Sequence, residues 1–129
     1  MAINSKKILI VDDEPISLKV LSEYLEGENL NLEFAENGKQ ALAILEKEPK
    51  NVSLVIMDRI MPFMSGMEVF QVMKQSNLLK KIPVIMLTGM TEKEDIIDAV
   101  DAGVFDYLTK PVNKNLLVSL VRRAIGSTD

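Results

Sequence analysis

Asp12, Asp13, Asp58, Thr88 and Lys110 are the residues of this chain best suited to chemistry, because each stands at the end of an apolar run. Asp12 and Asp13 follow Ile8-Leu9-Ile10-Val11, and Asp58 follows Val55-Ile56-Met57 and precedes Arg59-Ile60-Met61-Pro62. Thr88 follows Val84-Ile85-Met86-Leu87, and Lys110-Pro111 follow Tyr107-Leu108-Thr109. Four such strand ends would bring three carboxylates, a hydroxyl and an ammonium to one edge of a sheet.

Three carboxylates crowded together repel one another, and burial adds to the cost, so the cluster calls for a cation. An oxygen-only donor set favours magnesium, with manganese as the alternative. Asp13 and Asp58 are the expected direct ligands, with Asp12 acting through water and a backbone carbonyl just after Asp58 completing the set. A carboxylate can act as a nucleophile toward phosphorus and form an aspartyl phosphate. Phosphoryl transfer then needs positive charge on the equatorial oxygens, which Lys110 and the metal would supply. Thr88 would hydrogen-bond another oxygen, and Gly89 would leave room for the group. The central expectation is that Asp58 accepts a phosphoryl group. The Lys110–Pro111 bond is one that can be cis, although cis is the minority form even before proline.

The elements that must position these residues alternate in type. Ile8 to Val11, Val52 to Met57 and Ile82 to Leu87 are nearly continuous apolar runs, the pattern of strands covered on both faces. Leu30, Leu32 and Phe34 alternate with polar residues, and Val104 to Thr109 is mixed, so these two strands suit the edges. Between them lie helical patterns. The first runs through Ile16, Val20, Leu21, Tyr24 and Leu25 to Gly27. The second carries Ala41, Leu42, Ile44 and Leu45 and stops before Pro49. Ser65 and Glu68 have capping-box spacing ahead of Val69, Phe70 and Met73, and Thr91 and Glu94 repeat that spacing ahead of a helix ending at Gly103. Asn113 caps a last helix. Five strand–helix units predict an α/β, doubly wound parallel sheet with strand order 2-1-3-4-5 and five helices. The ligand crevice of such a sheet lies between strands one and three, where Asp12, Asp13 and Asp58 fall.

Composition excludes several classes. At 129 residues with 47% hydrophobic and 26% charged side chains, the chain reads as one globular domain. It has no cysteine and no histidine, which removes disulfides, thiolate and imidazole metal sites, and histidine bases. Any phosphohistidine must therefore belong to a partner. The net charge of −4 gives no global attraction to nucleic acid. No apolar run is long enough to span a membrane, and no signal peptide is evident, so a soluble cytoplasmic protein is expected.

Taken together, Val11-Asp12-Asp13-Glu14-Pro15, Met57-Asp58-Arg59-Ile60-Met61-Pro62 with Met64 and Gly66, Thr88-Gly89 and Lys110-Pro111 resemble the bacterial response-regulator receiver domain, the family of the chemotaxis regulator. The resemblance covers essentially the whole chain and implies a single receiver domain over 1–129, structured over about 6–126, with the flavodoxin-like fold. It implies Asp58 as phosphoacceptor, and a magnesium site of Asp12, Asp13, Asp58 and the Ile60 carbonyl. The implied donor is a phosphohistidine on a sensor histidine kinase or a histidine phosphotransfer protein. Thr88 and Tyr107 fall at the family's switch positions, and the implied output is a change in the helix 4–strand 5–helix 5 face, read by a downstream protein or by a second copy. Such a module is not a turnover enzyme; it catalyses only its own phosphorylation and slow autodephosphorylation. Ile60 and Met90 depart from the commoner polar choices at the positions that flank the hydrolytic water, so a long-lived aspartyl phosphate is expected.

Plainer readings exist for each residue alone. An acid pair is usually a solvated turn, Thr88 a cap, Lys110 a surface lysine, Tyr107 an edge-strand packing residue and Lys80-Lys81 a solvated charge pair. A magnesium-dependent phosphatase would want an acid where Ile60 stands, and a flavin carrier would want a glycine-rich phosphate loop in place of Asp12-Asp13-Glu14. An unphosphorylated scaffold is disfavoured by the complete acid–hydroxyl–lysine set. With no DNA-binding segment and a start at Met1, a stand-alone regulator is expected.

Overall fold

Alternation of apolar side chains on successive strand residues builds two cores, one on each face of a five-stranded parallel sheet. The computed structural model describes residues 6–89 and 93–126, the side chains of 93–95 excepted. The Met90 position and the Thr91–Glu94 capping pair lie outside the described residues, as do the first five and last three residues.

The strands are β1 (Lys7–Val11), β2 (Asn31–Ala35), β3 (Val52–Asp58), β4 (Val84–Thr88) and β5 (Asp106–Thr109). The helices are α1 (Pro15–Tyr24), α2 (Gly38–Lys47), α3 (Gly66–Lys74), α4 (Lys93–Ala102) and α5 (Lys114–Gly126). A short 3-10 turn, Leu79–Lys81, precedes β4. The order is β2-β1-β3-β4-β5, as the apolar patterning predicts. Leu9, Val11, Val55, Met57, Val84 and Met86 face the core shared with α2 and α3, while Ile8, Ile10, Leu54, Ile56, Ile85 and Leu87 face the core shared with α1 and α5. The inner strands are buried on both faces because helices cover both. Each fully buried aliphatic side chain contributes about 1.5–3 kcal/mol by leaving water.

The helix boundaries follow their local signals. Pro15 opens α1, and Ser65 with Glu68 forms a complete capping box at α3, each side chain bonded to the other's backbone N–H. Asn113 Oδ1 accepts from Leu116 N–H at 2.9 Å. Gly27 and Gly103 follow α1 and α4 with φ of +91° and +105°, a conformation that costs glycine little. Of the apolar residues that carry the α1 pattern, Leu21 and Leu25 are buried and Ile16 is 78% exposed. Ile16 sits in the helix's first turn and lines a cavity with Leu87, Lys110 and Pro111.

Candidate functional site

Asp12, Asp58 and Thr88 are the buried polar residues among those described, at 0%, 6% and 3% exposure, and all three stand at the carboxyl ends of inner strands. β1 pairs directly with β3 and β3 with β4, so the topology sets these ends side by side. Thr88 is opposite Thr109 on β5, and the Lys110 N–H bonds the Thr88 carbonyl at 2.8 Å. That register carries Lys110 over the edge of the sheet toward the acids.

Lys110 Nζ donates to Asp12 Oδ2 at 3.0 Å and to Asp58 Oδ2 at 3.1 Å, and lies 3.7 Å from Glu14 Oε1. The second oxygen of each aspartate is held locally. Asp12 Oδ1 accepts from Glu14 N–H at 3.0 Å, and Asp58 Oδ1 accepts from Ile60 N–H at 3.2 Å. Both are bonds to the backbone two residues on, the Asx-turn pattern, so the two strand ends turn in the same way. The Lys110–Pro111 peptide is cis, unlike the majority expectation for its type.

Burial raises the Asp58 pKa above the usual carboxylate value; the Lys110 hydrogen bond opposes this, and the neighbouring Asp12 charge adds to it. Burial acts to lower Lys110, but its hydrogen bonds to Asp12 and Asp58 outweigh that and hold its pKa above the usual lysine value. The lysine is therefore a permanent cation at neutral pH, and it balances only part of the acidic charge.

Carboxylate oxygens of Asp12, Glu14 and Asp58 all lie within 4.8 Å of one another. Three acids against one ammonium leave an excess of negative charge, and the donors are all oxygen. That fits a hard divalent cation such as magnesium or manganese. Asp13, expected as a direct ligand, is exposed and is not a member of this group. Glu14, which the sequence reading did not single out as a ligand, is in the group. The available signal was its position two residues beyond Asp12, where an Asx turn folds the chain back.

The loop after β3 is shaped by a close approach. A Cβ at Gly66 would collide with the Asp58 carbonyl and come within 2.9 Å of Met86 Sδ. Gly66 N–H also donates to the Arg59 carbonyl at 2.8 Å, closing the loop onto its own start. Beside Thr88, Gly89 is exposed, and among the described residues a Cβ there would meet nothing within 4 Å. Ile60 is 56% exposed at the rim. Tyr107, half-buried on β5, pairs in register with Met86 and packs against the α2–α3 core.

Comparison with known proteins gives one consistent result. The family model described as the response regulator receiver domain matches residues 8–122. The chain is 37% identical over 125 residues to the transcriptional regulatory protein ResD of Bacillus subtilis, covering 94% of this chain and 50% of that one. The crystal structure of a response regulator receiver domain protein from Clostridium thermocellum superposes with a TM-score of 0.87 at 31% identity, covering 95% of both chains. The Vibrio cholerae chemotaxis response regulator CheY4 gives 0.84 at 29% identity, covering 94% of this chain and 99% of that one. The chain spans about half the length of curated relatives such as ResD.

Proposed function

This chain belongs to the response regulator receiver domain family of two-component signalling, and we propose that it is a phosphorylation switch whose acceptor is Asp58. The observation that carries this reading is the grouping of Asp58 with Lys110 at 3.1 Å and with the Asp12 and Glu14 carboxylates at a strand-end crevice. The donor is a phosphohistidine on a sensor histidine kinase or phosphotransfer protein, since this chain has no histidine of its own. A carboxylate oxygen of Asp58 attacks phosphorus, the P–N bond breaks, and the imidazole leaves with the bonding electrons. Asp12, Glu14 and Asp58, with Asp13 and the Ile60 carbonyl as further candidate ligands, hold a divalent cation, magnesium for preference. That ion, when bound, offsets negative charge on the phosphoryl oxygens. Lys110 does the same from the other side, and its bonds to Asp12 and Asp58 hold it in place before the donor arrives.

Thr88 stands buried at the end of β4, and its hydroxyl is the group that follows the phosphoryl oxygens. Tyr107, one strand over, responds to that movement and alters the surface of α4, β5 and α5. Exposed Ile97, Val100 and Leu116 on α4 and α5 suit that surface to a protein partner or a second copy. Among the described residues no helix is long and apolar enough to cross a membrane. We take 1–129 as a single receiver domain, ordered over about 6–126, that catalyses its own phosphorylation and a slow autodephosphorylation.

The test is intact-protein mass after incubation with acetyl phosphate and magnesium, beside Asp58→Asn and a metal-free control. One added phosphoryl group on the parent, absent from both controls, is expected. Addition to Asp58→Asn, or none to the parent from either acetyl phosphate or a phosphorylated histidine donor, overturns the reading.

A further inference from the structure

The amino ends of β1, β3 and β4, opposite the Asp58 crevice, enclose a cavity of about 680 Å³. Its basic lining is Lys6, Lys50 and Lys81, and none of the described residues lining it is acidic. This runs against the composition, since acids outnumber bases by 19 to 15 in the whole chain. Glu48, the acid nearest in sequence, is engaged elsewhere by Lys7 at 2.7 Å. Lys50 and Lys81 are exposed and able to reorient, and they give this lining a basic character.

A second feature is independent of charge. β1 pairs Lys7 with Val52 but Ile8 with Leu54, which leaves Ser53 as the extra residue of a bulge. Bulges re-aim side chains. Ser53 is the one polar side chain of β3 ahead of Asp58, and it lines this cavity. A third is the wall: Leu78 is 49% exposed next to Leu79, which is 4% exposed, and Leu78 lines the cavity with Ile82.

We infer that this cavity is a docking groove for an acidic segment of a partner protein, one that carries apolar side chains among its carboxylates. Exposed Lys50 and Lys81 act as mobile point charges that accept carboxylates without a fixed fork geometry. The bulged Ser53 hydroxyl supplies a directional hydrogen bond, and exposed Leu78, beside the buried edge of Ile82, takes the apolar side chain. A small inorganic anion would satisfy the lysines but leave that apolar wall in water. Asp58 plays no part in this site, so the inference stands apart from the phosphorylation reading.

The probe is a fluorescein-labelled octapeptide with two leucines among six glutamates, followed by anisotropy with the full chain. The expected result is salt-sensitive binding, absent for the same peptide with lysines in place of glutamates, and weakened about tenfold by the double substitution Lys50→Glu with Lys81→Glu. Both lysines are exposed, so the fold tolerates the change. Amide shifts in an NMR titration should gather at 50–53 and 78–82. No binding, equal affinity in the double variant, shifts elsewhere, or binding of tripolyphosphate but not of the peptide would each overturn the inference.

Discussion

Replacing Phe63 by glycine should stabilise this protein although it removes a large apolar side chain. Phe63 lies in the loop between β3 and α3 with φ of +69°, and Met64 N–H bonds the Pro62 carbonyl across it at 2.7 Å. This is a γ-turn of the left-handed kind, which is rare and strained, and doubly so for a bulky residue. The left-handed conformation costs an L-residue about 1–2 kcal/mol that glycine does not incur. Against this, glycine loses more freedom on folding, about 0.5–1 kcal/mol. The ring contributes nothing to offset the strain, since Phe63 is 104% exposed. The balance for Phe63→Gly is a gain of about 0.5–1 kcal/mol, or roughly 2–4 °C in Tm for a domain of this size. Phe63→Ala keeps the Cβ and so keeps the strain; it should stay within about 0.5 kcal/mol of the parent. Urea and thermal unfolding of the three proteins decide the matter. A glycine variant no more stable than the alanine variant refutes the strain argument, and an alanine variant well below the parent shows that the ring is packed.

Three further outcomes follow from the site. Lys110→Met removes the cation shared by Asp12 and Asp58 while keeping most of the stem. It should cost about 1–3 kcal/mol in urea unfolding at neutral pH, less than a fully buried pair because Lys110 is 24% exposed; an unchanged midpoint argues against the shared-cation geometry. Asp58→Asn should stabilise the metal-free protein at neutral pH. The folded pKa of Asp58 is raised, so its charge penalises folding fully above that pKa, progressively less as pH falls, and not at all below the unfolded value near 4. The gap between variant and parent should therefore close on acidification, and a gap that widens instead contradicts the sign. Finally, Asn at position 60 and Glu at position 90, separately and together, should shorten the lifetime of the aspartyl phosphate severalfold by orienting water. The decay of the phosphorylated mass over time measures this, and a double variant as slow as the parent rules it out.

How much was legible in the sequence depends on how local each signal is. Continuous apolar runs separate inner from edge strands because a parallel sheet covered on both faces has no polar side, and this alone places β1, β3 and β4 inside. The Ser65–Glu68 and Asn113 caps are three-residue relations and are present as read. Asp12, Asp58 and Lys110 meet because each ends a strand and strand order brings those ends together, with Thr88 at the end of the neighbouring β4. Past a strand's last residue the alternation of side chains no longer holds, and loop torsions decide direction. That is why Glu14 joins Asp12 and Asp58 while Asp13 faces water, a result of the Asx turn that the acid run Asp12-Asp13-Glu14 does not encode by spacing. The same limit explains Gly66, whose need appears when the Asp58 carbonyl passes where a Cβ would stand. The bulge at Ser53 and the cavity it lines are further from any local signal, since they arise from the register between two strands more than forty residues apart. Periodicity and strand ends carry the architecture and the chemical groups; the turns and registers that aim those groups depend on contacts between distant segments.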